Sequence, residues 1–177
     1  DPKSFYAISK YASEKYLIQL CHKYKIGWNI LRFFNVYGPG QDLSRTDQGI
    51  VSIFLDLIRN NNKIAVKGSL NRFRDLIYID DVINSIFLLI RDKKNLNEIY
   101  NIGTGKKTTI KDLIKKISKL YKKEKKLKIS FSKPTPGDLL GCYADIGKAK
   151  KHLGFKPSID LDKGLLFFKD WAEKNFY

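Results

Sequence analysis

The sequence predicts an α/β fold built on parallel strands, and three observations carry the prediction. Strand-like apolar runs alternate with segments of helical periodicity along the whole chain. The 177 residues, 43% apolar and 13% aromatic, suffice for one domain with a real core, or one and a fraction. No internal repeat and no flexible linker divides them.

The elements follow in order. Helical spacing runs from about Phe5 to Tyr24, and after Gly27 the run WNILRFF, Trp28 to Phe34, reads as a strand. Asn35 to Gly49 is rich in turn formers and is expected as a loop, long enough to carry function. A helix from Ile50 to about Asn60 precedes two short strands, KIAV and DLIYI, separated by the polar KGSLNRFR. The next helix opens at Asp80-Asp81-Val82, with Asp80 as N-cap, and reaches about Arg91. EIYNIG is a strand, TTIKDLIKKISKLY a helix, LKISFS a strand and SKPTPGD a loop. LLGCYAD is expected to be extended, IGKAKKHLG a short helix closed by Gly154, and SIDLDKGLLFFKDWAEKNF a final amphipathic helix.

Composition narrows the function classes. No apolar run approaches the roughly 18–20 residues that cross a bilayer and no signal peptide is present, so no membrane association is expected. Cys21 and Cys142 make no disulfide framework, which points to a reducing cytoplasm. The net charge of +16 raises the question of nucleic acid. Yet in the lysine-dense stretch from Lys115 to Lys128 and the turn before it, Ile110, Leu113, Ile114, Ile117 and Leu120 keep helical spacing, which leaves the lysines on a solvated face. No nucleic-acid-binding signature accompanies them, and no nucleic-acid partner is expected. A basic surface also suits an anionic small substrate. Methionine is absent and residue 1 lies immediately before a helix, so the chain is expected to be a piece of a longer protein.

On the first helix, Tyr6, Leu17, Leu20, Cys21 and Tyr24 fall on one stripe at about 100° per residue, and Lys10 lies on it too. A lysine there either snorkels to solvent or pairs with Tyr6 four residues before it. As a pair the two have chemistry: a phenol of pKa about 10 is a poor base at neutral pH, and a neighbouring ammonium favours its phenolate. Asp80 and Asp81 look like paired carboxylates, but a helix start explains them better. Gly103-Thr104-Gly105 lacks the third glycine of a dinucleotide fingerprint and reads as a turn. His22 and His152 have no partners at metal spacing, so no metal site is expected.

The order of five segments carries more. PKSFYAISKYASEK, LRFFNVYGPGQ, RFRDLIYIDDV, YNIGTG and PGD…YADIGKAKKHLGFKP together resemble the extended short-chain dehydrogenase/reductases, in the nucleotide-sugar epimerase/dehydratase branch. The resemblance covers nearly the whole chain and implies the C-terminal part of a Rossmann-type fold with a small α/β substrate-binding lobe. Residues 1–48 would end the dinucleotide-binding domain, and residues 49–177 would form mainly the nucleotide-sugar lobe. A segment at about 75–103 would return to the Rossmann domain.

The resemblance also implies roles. Tyr6 would exchange the proton of a sugar hydroxyl while hydride moves to or from NAD. Lys10 would bind the nicotinamide ribose and lower the Tyr6 pKa. Phe34 would lie near the nicotinamide and Asn35 would contact the nucleotide-sugar. Ala65, Val66 and Lys67 match a strand along the base, and Arg74 matches an arginine on the diphosphate, suited by charge and fork geometry. Asp75 or Asp80 could instead hold Arg74 in a surface ion pair. Asp138 matches a substrate-side aspartate, or else simply follows the Pro136-Gly137 turn.

Two departures and one substitution qualify the likeness. The glycine-rich pyrophosphate turn and the serine or threonine partner of Tyr6 should both lie upstream, and Thr135 stands where many members carry arginine. The resemblance to UDP-hexose 4-epimerases implies that Cys142 would lie beside the sugar 2-substituent, where a small residue would admit an N-acetyl group. The expected activity is NAD-dependent epimerisation, most simply of a UDP-hexose at C4 through a transient 4-keto sugar. A 4,6-dehydratase, a decarboxylase and an inactive substrate-binding fragment remain open. The resemblance also implies a homodimer through the Tyr6 helix, although an intramolecular core explains that helix's stripe equally well.

Overall fold

A Ser4 hydroxyl that accepts a hydrogen bond from the Ala7 N–H opens helix α1 (Phe5–Tyr24), and Lys25 in the left-handed conformation closes it. The computed structural model describes residues 2, 4–45, 49–92, 94–133 and 140–175. After α1 come β1 (Asn29–Phe33), β2 (Asn35–Tyr37), α2 (Ile50–Asn60), β3 (Lys63–Lys67), β4 (Phe73–Arg74) and β5 (Leu76–Tyr78). Then follow α3 (Ile79–Arg91), β6 (Glu98–Ile102), β7 (Thr108–Thr109), α4 (Ile110–Leu120), β8 (Lys128–Ser132), α5 (Gly147–Leu153) and α6 (Leu161–Asn175).

The parallel α/β architecture expected from the sequence is present. β1 pairs parallel with β6, β2 with β5 and β3 with β8, while β4 and β7 pair antiparallel. The extended run from Asn29 to Tyr37 serves two partners in turn. Asn29 to Phe33 lie in register with Glu98 to Ile102, and Asn35 to Tyr37 with Leu76 to Tyr78.

Two apolar clusters hold these elements. The larger joins α2, β3, α4 and α6 around Leu55, Ile58, Ile117 and Phe168. The smaller gathers Ile77, Val82, Tyr100, Ile102, Leu153 and Phe155. Helix α4 follows its sequence pattern: Ile110, Leu113, Ile114 and Ile117 are buried and its lysines line the opposite side. Each such burial contributes about 1.5–3 kcal/mol before the entropy of ordering is set against it.

Two expectations need correction. Asn35 to Tyr37 form a strand rather than the start of a loop, because β5 supplies a non-local partner that turn-forming composition cannot reveal. Asp80 does not cap α3; Tyr78 holds the N-cap position without a side-chain bond, and Asp80 and Asp81 sit in the first turn. LLGCYAD, expected to be extended, carries one bridge in the described residues, Gly141 to Phe73. The 177 residues themselves leave the stripe on α1 largely uncovered: Tyr6, Leu17, Leu20 and Tyr24 are 73%, 41%, 47% and 59% exposed, and only Cys21 of that helix is buried.

Candidate functional site

The expected catalytic pair lies on the first turns of α1. Four residues of helix place Tyr6 and Lys10 on one face, and the Lys10 ammonium lies 5.5 Å from the centre of the Tyr6 ring. Both side chains face solvent. The helix is fastened to β1 by a two-pronged ion pair: Arg32 donates from Nε and Nη2 to the two oxygens of Glu14 at 2.7 and 2.5 Å. That bond holds the Glu14 carboxyl below the usual carboxylate range and raises Arg32 further.

Phe34 and Asn35 sit where the extended run changes partner. The Phe34 N–H donates to the Ile102 carbonyl at 2.9 Å, and the Asn35 N–H donates to the Asp75 carbonyl at 3.1 Å. Both side chains are half-buried at this junction.

On β3 the alternation divides the expected trio. Val66 points into the core and is buried, whereas Ala65 and Lys67 face outward. Val66 can therefore offer a ligand only its main chain. Arg74 lies in β4, half-buried, with Nη1 donating to the Phe73 carbonyl at 2.8 Å. Arg72 donates to the carbonyls of Ser69 and Lys67, which ties the end of β3 to the approach of β4. Burial first and the nearby Arg74 charge second lower the Arg72 pKa. Cys142 is exposed. Asp138 lies outside the described residues.

The structure thus brings Asn35, Arg74 and the Cys142 segment to one place, around Asp75, and Tyr6 with Lys10 to another that β1 links to it. Sequence reasoning weighed Asp75 only as an ion-pair partner for Arg74. Its carboxylate instead accepts from the main chains of Thr104, Gly105 and Ala144 and from the Thr104 hydroxyl. A charged residue directly before the apolar LIY was the available signal, since a carboxylate leading into a buried strand needs internal donors. Asp81 is a second buried carboxylate, bonded by the Ser158 N–H and hydroxyl and the Ile159 N–H. Among the described residues no cluster of His, Cys, Asp and Glu could hold a metal ion, and no helix is long and apolar enough to cross a membrane.

Residues 1–103 match the model of the NAD dependent epimerase/dehydratase family. A putative UDP-glucose 4-epimerase of Methanocaldococcus jannaschii is 36% identical over 99% of this chain and 55% of its own length. The crystal structure of a UDP-glucose 4-epimerase from Thermotoga maritima, solved with UDP-glucose, superposes with a TM-score of 0.91. It is 33% identical over 100% of this chain and 56% of its own. A UDP-N-acetylglucosamine 4-epimerase from Methanobrevibacter ruminantium, in complex with UDP-N-acetylmuramic acid, matches with a TM-score of 0.90 at 27% identity. That likeness covers 99% of this chain and 56% of the other. The chain spans about half the length of the curated relatives it matches.

Proposed function

The chain belongs to the NAD dependent epimerase/dehydratase family, and from that premise we propose that it forms the C-terminal part of an NAD-dependent UDP-hexose 4-epimerase. The observation that carries the reading is the Tyr6–Lys10 pair on one face of α1, fastened through Glu14 and Arg32 to the strand that leads to Asn35. Likeness over the whole chain to proteins described as UDP-sugar 4-epimerases supports it.

The residues present fit the nicotinamide end of NAD. An ammonium and a phenol, both open to solvent, share one helical face, and the Phe34 ring offers an apolar surface on the sheet to which that helix is tied. Bound NAD would accept a hydride from the sugar carbon and return it. Lys10 would hold the ribose hydroxyls. Tyr6 would take the proton of the 4-hydroxyl as the C4 hydrogen leaves as hydride, which gives a 4-keto sugar. After the sugar turns, the same phenol would return the proton while hydride re-enters on the opposite face, so that C4 is inverted and no electrons are gained or lost.

The nucleotide-sugar would lie between Asn35, the outward side of β3 (Ala65 and Lys67, with the Val66 main chain) and Arg74, with Asp138 and Cys142 on the sugar side. Residues 1–48 and about 75–103 would then belong with the dinucleotide domain. The test is direct. The complete native protein with NAD should interconvert UDP-glucose and UDP-galactose, or their N-acetylated forms. A 4-keto-6-deoxy product would overturn the epimerase reading in favour of a dehydratase. The 177-residue chain alone is expected to turn over neither sugar, because its sequence holds no glycine-rich pyrophosphate turn.

A further inference from the structure

Asp75 is fully buried, yet it stands next to Arg74 in sequence and is bonded to the segment that carries Cys142. Its Oδ1 accepts from the Thr104 N–H at 2.8 Å and the Thr104 hydroxyl at 2.6 Å. Its Oδ2 accepts from the Gly105 N–H at 2.9 Å and the Ala144 N–H at 3.0 Å. One carboxylate therefore gathers donors from two loops that are distant in sequence.

The segment from Leu140 to Ala144 has a second anchor. The Phe73 N–H donates to the Leu140 carbonyl at 3.0 Å, and Phe73 bridges Gly141, where a Cβ would collide with the Phe73 carbonyl. At Gly103 a Cβ would fall 2.7 Å from both the Ala144 Cβ and Asp75 Oδ2, so this side admits no slack. Lys107 lies 5.1 Å and 4.8 Å from the ring centres of Phe73 and Tyr143 and bridges the two outside the buried bonds. Cys142 thus sits midway along a five-residue stretch whose two ends are fastened to Phe73 and Asp75, the residues that flank Arg74.

We propose that Asp75 is a positioning residue that fixes Cys142 relative to Arg74 and thereby sets which sugar 2-substituent is accepted. The proposal rests on the reading above that Arg74 and Cys142 both face the nucleotide-sugar. The physical reason is cost: the stretch cannot shift without stripping donors from a buried charge, and a buried charge with missing donors is strongly disfavoured. Arg74 gives a fixed point on the diphosphate, and the carboxylate behind it fixes the wall on the sugar side.

The test compares Asp75→Asn with Asp81→Asn in the complete native protein. Both variants break a buried carboxylate, but Asp81 ties Ser158 and Ile159 and leaves residues 140–144 alone. The first readout is maleimide labelling of Cys142, followed on its own peptide by mass spectrometry, which needs no assumption about substrate and separates Cys142 from the buried Cys21 and from any other thiol. The second is the ratio of kcat/KM on UDP-N-acetylglucosamine to that on UDP-glucose. Asp75→Asn should accelerate labelling and move the ratio by about tenfold, the scale of one displaced contact in a pocket, while Asp81→Asn should change melting temperature only. Labelling and ratio in Asp75→Asn that match those of Asp81→Asn would overturn the proposal. Should Asp75→Asn fail to fold, Thr104→Val removes one hydroxyl donor and should act in the same direction; an unmoved ratio there counts equally against it. Accelerated labelling in a protein that turns over neither sugar would support the placement of Cys142 and defeat the epimerase reading, so the two failures are distinguishable.

Discussion

Asn35 and Asp75 are joined main chain to main chain, the N–H of one to the carbonyl of the other across 3.1 Å. One residue earlier, Phe34 is bonded to Ile102 instead, so the strand exchanges partners between two adjacent residues. Asn35 and Arg74 are therefore brought together by backbone pairing, which is a more rigid support for a binding site than a loop would give.

Tyr6→Phe should lower kcat of the complete enzyme by about 10²- to 10⁴-fold, the range for loss of a positioned acid/base. Tyr6 is 73% exposed in the 177-residue chain, so the same substitution there should leave the melting temperature within a degree or two of wild type. Lys10→Met should raise the NAD concentration needed for half-maximal rate. Steady-state kinetics at varied NAD checks both, and wild-type rates in Tyr6→Phe would remove Tyr6 from the chemistry.

Cys142→Tyr should abolish turnover of UDP-N-acetylhexosamine while largely sparing UDP-hexose. Cysteine is small and exposed here, and on the proposed placement of Cys142 beside the sugar a phenol ring would fill the space needed by an N-acetyl group. Parallel assays on the two substrates decide it, and equal loss on both would sink the idea.

Gly164→Ala should destabilise the protein by about 1–3 kcal/mol, because the new methyl would collide with the Tyr37 hydroxyl and approach Tyr78 at 3.0 Å. That hydroxyl is buried and has no hydrogen-bond partner among the described residues, and burial also pushes its pKa up. Tyr37→Phe should then be neutral or stabilising by itself and should recover part of the Gly164→Ala loss. A double-mutant cycle by denaturant unfolding measures the coupling, and strictly additive effects would rule out the contact.

The Glu14–Arg32 bond predicts an acid limit. Hydrogen bonding to Arg32 depresses the Glu14 pKa below its ordinary value of 4.5. Its stabilising contribution is therefore complete above about pH 4.5 and disappears as pH falls through the depressed value. Amide exchange in α1 should accelerate in that acidic range, and Glu14→Gln should show the faster exchange already at neutral pH. Since the pair is partly exposed, added salt should weaken the effect.

What the sequence made legible was local. The bounds of α1 and the lysine-faced pattern of α4 follow from periodicity and capping alone. The features that escaped were those whose partners lie far along the chain. NVY followed by Gly-Pro-Gly reads as a loop until β5 is placed beside it. Asp81 reads as part of a helix start, since its donors arrive from Ser158 and Ile159. Asp75 reads as a surface charge until Thr104 and Ala144 close over it. Periodicity on α1 identified an apolar stripe correctly, but spacing says which residues share a face and not what lies against it.

That exposed stripe bears on how the 177-residue chain folds when taken alone. With Cys21 as its only buried residue, α1 gains little from tertiary contact and relies on its caps and the Glu14–Arg32 fork. In proteins most helical stability comes from the packing of one face rather than from intrinsic propensity. In the isolated 177-residue chain α1 should thus open at equilibrium well before the cores around Ile58 and Tyr100. On the proposed reading Tyr6 and Lys10 ride on a helix that this chain leaves largely uncovered, so whatever packs against α1 would also govern how steadily the two are held.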